Sequence, residues 1–140
     1  MLQKMRVLLL VCFTAVLVAC GGGGGDETPN FAGTYRYSNL ALNSNNCNAA
    51  VPGTIAGGGA DIYTQNGRAM SVSSGGLVLS GSVDADNGGF SVSFTQVSSG
   101  IPVLSTFAFR TITAGSVYEL RFTITAGACS AVYVGTATRS

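Results

Sequence analysis

From Phe31 to the C terminus no stretch sustains apolar residues at spacings of three and four, so no substantial helix is expected. Short alternating segments rich in Val, Ile, Thr, Phe and Tyr take their place, separated by Gly, Asn, Asp and Ser. The alternation predicts eight strands, near 33–42, 60–65, 68–73, 77–83, 89–97, 103–113, 116–125 and 129–138. One face of these strands is apolar, with Phe90, Val92, Phe94, Phe107, Phe109, Tyr118, Leu120, Phe122 and Ile124, while the other is mostly Ser, Thr and Ala. A strand with one dry and one wet side belongs to an antiparallel sheet.

Three turns set a register. Gln65-Asn66-Gly67-Arg68 centres on Asn-Gly, whose two central residues tolerate positive φ, and places Tyr63 opposite Met70. The polar turn from Asp84 to Gly89 pairs Val83 with Phe90 and Leu79 with Phe94. Ala114-Gly115 pairs Phe107 with Phe122, Phe109 with Leu120 and Arg110 with Glu119, putting aromatics on one face and opposed charges on the other. A slip of one residue would undo every match.

Short turns between consecutive strands give an up-and-down meander. Open edges are usually guarded by charge, and there is no Lys beyond Lys4, so the sheet is expected to close. The fold class is therefore all-β, a meander of about eight strands closed into a small barrel, with a two-sheet β-sandwich as the alternative. The stretch from Asn43 to Gly59, including Gly57-Gly58-Gly59, is too polar and glycine-rich for another strand and reads as a loop.

The N-terminal segment has a separate logic. Lys4 and Arg6 precede the run Val7–Ala19, in which only Thr14 is polar. That run is shorter than the roughly 20 apolar residues needed to span a bilayer. A charged start, a short apolar core and a small residue at its end form a secretory signal. Leu17-Val18-Ala19-Cys20 then resembles the lipobox of bacterial lipoproteins. The resemblance implies cleavage before Cys20, leaving residues 1–19 as signal peptide, and acylation of Cys20, whose multiple chains would hold the protein to a membrane. Gly21, where an aspartate would favour inner-membrane retention, leans toward the outer membrane. The glycine run Gly21–Gly25 lacks the preceding strand and following helix of a phosphate loop, so residues 20–30 read as a lipidated tether and 31–140 as a single domain.

Cys12 leaves with the signal and Cys20 carries lipid, so Cys47 and Cys129 remain. In an oxidising periplasm they are expected to form a disulfide. In a closed meander the first and last strands are antiparallel neighbours, which brings Cys47, just past strand one, beside Cys129 at the start of strand eight. A thiolate metal site or redox pair would need further ligands or a C-x-x-C spacing, and neither is present.

Charge and composition narrow the chemistry. The whole chain has seven Lys and Arg against six Asp and Glu, but from Cys20 onward there are five Arg, six acids and no Lys. With no basic surplus, nucleic acid is not an expected partner. There is no histidine, which removes Ser-His-Asp and Cys-His catalysis and the commonest metal ligand. Asp84-Ala85-Asp86-Asn87-Gly88 begins like a calcium loop, but Gly88 and Thr95 occupy positions five and twelve, so it reads as a polar turn whose Asp and Asn cap their own backbone. Asp26 and Glu27 lie on the tether, Glu119 opposes Arg110, and Asp61 is the one acid left over. No pair of carboxylates flanks a cleft, so neither an enzyme nor a cofactor or metal is expected. Tyr35-Arg36-Tyr37 could present an exposed aromatic and cationic patch; the favoured reading is that the two tyrosines close the barrel bottom against Tyr133.

Phe31-Ala32-Gly33-Thr34-Tyr35 and the run from Cys129 to Thr138, ending Gly-Thr-Ala-Thr, resemble the opening and closing strands of small all-β bacterial lipoproteins. That resemblance implies a fold and no activity. The expected function is a membrane-anchored, non-enzymatic structural or interaction module of the envelope, held by lipid on Cys20 and facing an envelope protein partner. The alternative is a lipocalin-like carrier of a small apolar ligand. Interior volume separates the two: Phe90, Phe94, Phe107, Phe109, Tyr118 and Phe122 look sufficient to fill eight strands, whereas rings gathered at one end would favour the carrier.

Overall fold

A computed structural model describes residues 27–140. The expected signal peptide, the lipobox-like residues ending in Cys20 and the glycine run lie outside the described residues. Within them the chain forms ten strands and no helix: β1 (Gly33–Tyr37), β2 (Leu40–Asn45), β3 (Thr54–Ile55), β4 (Ala60–Asn66), β5 (Ala69–Ser74), β6 (Leu77–Val83), β7 (Gly89–Ser98), β8 (Ile101–Thr113), β9 (Val117–Ala126) and β10 (Cys129–Arg139). Strands β1-β4-β5-β6-β7-β8-β9-β10 pair in that order, all antiparallel, and β10 returns to β1. This is the closed eight-stranded barrel expected from the alternation, with β2 and β3 added on the far side of β10.

The added strands come from a break in the first expected strand. It divides at Ser38-Asn39 into β1, paired through Tyr37↔Ala137, and β2, which takes up β10 again at Ala41↔Val134. Part of the expected loop 43–59 is therefore strand: Asn43–Asn45 end β2, and Thr54–Ile55 pair with Leu40 and Ala41. Gly57 lies directly against the break, donating to Asn39 Oδ1 at 2.9 Å, and any Cβ there would collide with the Ser38 carbonyl. A pattern that alternates cleanly through 33–42 does not betray a kink imposed by a distant glycine.

The two later turns give the expected registers, with Val83↔Phe90, Phe107↔Phe122, Phe109↔Leu120 and Arg110↔Glu119. The β6–β7 ladder runs only to Ser80↔Ser93, one step short of Leu79 and Phe94. The Asn-Gly turn differs. Its central residues are Gly67 and Arg68, with Asn66↔Ala69 closing the turn, so Tyr63 faces Val72 rather than Met70. Only Gly67 takes positive φ (59°), which is the demand of a turn with glycine first. Because the shift is two residues, Tyr63, Met70 and Val72 still point inward and all are buried.

Residues 27–30, the described part of the expected tether, lead into one end of the barrel. Phe31 plugs that end, packing on Phe90 and Tyr118, while Gln65 holds the entering backbone by accepting from Phe31 N–H and donating to the Pro29 carbonyl. Behind the plug lies an aromatic stack: Phe90 and Phe109 are parallel at 4.4 Å, and Tyr35 meets both at 5.6 and 5.3 Å. Fully burying such rings stabilises the fold by about 1.5–3 kcal/mol each.

Candidate functional site

Tyr35 and Tyr37 both point into the barrel, but not against Tyr133. Tyr35 packs on Tyr63, Phe90, Phe109 and Tyr118, and Tyr37 on Phe109. Tyr133 sits farther along β10 near Phe122, its hydroxyl donating to the Pro52 carbonyl of the 46–53 segment. Of the alternative surface patch Tyr35-Arg36-Tyr37, Arg36 alone faces outward. Tyr133 apart, the fully buried rings therefore gather in the half of the barrel nearest residues 27–30.

The other half is incompletely filled. Phe94, Phe107, Phe122 and Ile124, all inward by alternation, are only half-buried. Two hollows open among them. One, of about 140 Å³, lies between Tyr63, Val72, Leu77, Leu79 and Phe94. The second, of about 310 Å³, lies between Tyr37, Leu40, Ile55, Leu120 and Phe122. Asp61, Ser74 and Phe107 line both. Another hollow, about 300 Å³, lies across β4–β6, where the Thr64 and Ser71 hydroxyls satisfy one another at 2.8 Å and offer a ligand no directed contact.

Asp61, the acid left over by the sequence, is the polar floor of the inner hollows. It shares the inward face of β4 with Tyr63 and pairs across the ladder with Tyr35. Tyr37 donates its hydroxyl proton to Asp61 Oδ2 at 2.9 Å; Tyr63, 3.0 Å from the Tyr37 oxygen, then donates to Tyr37. Burial, before the neighbouring Tyr63 and Asp61 charges, drives the Tyr37 phenol upward. Burial likewise pushes Tyr63 up to about 12, and the Asp61 charge adds to it. Both hydroxyls thus stay protonated donors beside the carboxylate. The signal was present in the sequence: Asp61 occupies the apolar parity of its strand, two residues from Tyr63.

The other charges lie elsewhere. Between Phe31 and Ser140 the charged residues are Arg36, Asp61, Arg68, Asp84, Asp86, Arg110, Glu119, Arg121 and Arg139, and none falls in 42–59, 70–80, 91–107 or 122–134. The rim of the open half is therefore uncharged, with Leu77, Val97, Ile101 and Leu104 exposed on it. At the tether end the turn 84–88 is clasped by two arginines. Arg68 donates to the carbonyls of Val83 and Asp84 and to Asn87 Oδ1, and Arg110 to Asp86 at 2.9 Å and Asp84 at 3.5 Å. Arg110 thus faces Glu119 across the ladder but gives its ion pairs to the neighbouring turn. The Gly88 N–H and the Arg110 guanidinium together hold the Asp86 carboxyl below its usual range. The would-be calcium carboxylates are thus committed to Arg110.

Cys47 and Cys129 are joined, Cα to Cα 4.6 Å apart, at the open end. Asn46 prepares the approach, exchanging backbone and side-chain hydrogen bonds with Ser130. The bond pins the 46–53 segment beside the open half without entering the hollows. No protein-family model, curated protein or solved structure matches this chain.

Proposed function

We propose that the chain is a lipid-anchored, non-enzymatic envelope protein whose barrel carries one small, largely apolar ligand in the half away from its tether. The observation that carries this reading is the uneven filling of the interior: rings pack the tether half, while Phe94, Phe107 and Phe122 line open space. Small-molecule sites are typically concave and mostly apolar, with a few convergent polar groups. The hollows around Asp61 have that character. The anchor rests on the lipobox resemblance of Leu17-Val18-Ala19-Cys20, and an outer-membrane location on the same resemblance.

A second reading, the interaction module, draws on Val97 and Ile101 at the exposed β7–β8 tip, where an envelope protein could dock. Native mass spectrometry of the full-length product, released from its membrane, separates the two. The carrier should fly with one small molecule of added mass, and Ser74→Phe, which fills the wall shared by both hollows, should remove it. A bare chain, from cells and after incubation with short-chain alcohols, would overturn the carrier and favour the module. The same spectrum reads cleavage and acylation at Cys20.

A further inference from the structure

We infer that the open half selects a ligand with a positively charged nitrogen on an apolar body, and that Asp61 is its counter-ion. The inference rests on the carrier reading and adds the ligand's charge. Asp61 points into space walled by Leu40, Leu79, Phe107 and Phe122. A carboxylate moved toward an apolar interior is costly unless it is paired. Among the described residues the ion pairs are those of Arg110 with Asp84 and Asp86, and Asp61 has none. Its hydrogen bond from Tyr37 fixes Oδ2, and among the described residues no protein group reaches the other oxygen, which is open to the solvent of the hollow.

The surrounding groups sharpen the choice. Tyr37's one proton is committed to Asp61 and Tyr63's to Tyr37, so neither hydroxyl is free to donate to an anion. An anionic headgroup would meet the Asp61 charge with no cation between them. A neutral alcohol could accept or donate one hydrogen bond but would leave the charge unpaired. A protonated amine supplies both charge and donors, and Phe107, which lines both hollows with Asp61, borders the space its apolar body would fill. The uncharged rim admits the apolar body without a competing ion pair.

The test is a titration of the full-length protein, labelled at isoleucine methyls, with hexylammonium, hexanol and hexanoate. Ile55 lines the hollow, and Ile62, 67% exposed on the outer face of β4, is the internal control. Ile55 should shift while Ile62 stays, with hexylammonium binding at least about tenfold more tightly than hexanol, equivalent to about 1.4 kcal/mol, and hexanoate weakest. In Asp61→Asn the ratio of amine to alcohol should fall to near one while hexanol still shifts Ile55, a sign that the cavity has folded. Should Asp61→Asn fail to fold, the wild-type ratio still decides. Equal binding of amine and alcohol, or tightest binding of hexanoate, would overturn the cationic ligand and leave the carrier standing. If no probe moves Ile55, both readings fall.

Discussion

Phe107 and Phe109 stand two residues apart on the same face of β8, and their surroundings are opposite. Phe109 has no exposure and is enclosed by Phe90, Tyr35 and Tyr63. Phe107 stacks on Phe122 at 4.3 Å, packs against the edge of the core and lines both hollows. Removing a ring from a filled site loses its transfer energy and leaves a cavity; removing one from an open wall loses only part of the first term. Phe109→Ala should therefore cost roughly 3–5 kcal/mol and Phe107→Ala no more than about 1–2 kcal/mol, read from the urea midpoint of each variant. Similar costs for both would mean that the two halves are equally packed. Glycines make a parallel comparison. A Cβ on Gly57 would run into the Ser38 backbone, whereas one on Gly59 meets nothing within 4 Å. Gly57→Ala should thus lower stability by about 1–3 kcal/mol through forced backbone movement, and Gly59→Ala should leave the midpoint where it is.

At the scale of the elements, the disulfide joins the segment leaving β2 to the first residue of β10 and closes a sequence separation of 82. It spans the seam where the barrel meets itself, so its loss frees the ends that closure brings together. The double variant Cys47→Ala/Cys129→Ala should lose about 2–4 kcal/mol, on the chain-entropy argument for a long loop, in the same denaturation experiment. A variant as stable as the parent would show that the strand ladder alone holds the seam. This pairing was legible because it follows from meander topology, and the register of the β8–β9 hairpin because three aromatic or charged matches agree at once. What the sequence hid were contacts from outside each hairpin. Arg68 belongs to the turn at Gly67 because carbonyls of the β6–β7 turn bind its guanidinium, which Asn-Gly propensity cannot register. Arg110 turns from Glu119 toward Asp86 because β7 pairs it with Gly89, at the foot of that turn. Asp61 is the complementary case. It had no charged partner to predict, and its meaning depends on the space around it.

Taken whole, the molecule is polarised, with charge clasps and a packed aromatic interior at the tether end and an uncharged rim over a partly open interior at the other. The two regions meet at Tyr35, Tyr37 and Tyr63, where burial raises all three phenols above their ordinary value of 10.0. A group with a raised folded-state value contributes stability that is complete below the unfolded value and is lost as the pH climbs through the folded one. Above pH 10 the unfolded chain sheds these protons while the folded chain keeps them, so unfolding is increasingly favoured. For Tyr63 the window is from 10 to about 12; for Tyr35 and Tyr37 it continues beyond. Each retained proton steepens the fall of stability by about 1.4 kcal/mol per pH unit. Tyrosinate absorbance and far-ultraviolet circular dichroism, followed together up an alkaline titration, should show these three ionisations arriving with the collapse of the sheet. Tyr63→Phe should make the decline between pH 10 and 12 shallower, since one proton fewer distinguishes the two states. Ionisation of Tyr35, Tyr37 and Tyr63 near pH 10 with the sheet intact would mean that water reaches the floor of the barrel, and the division into a filled and an open half would fail with it.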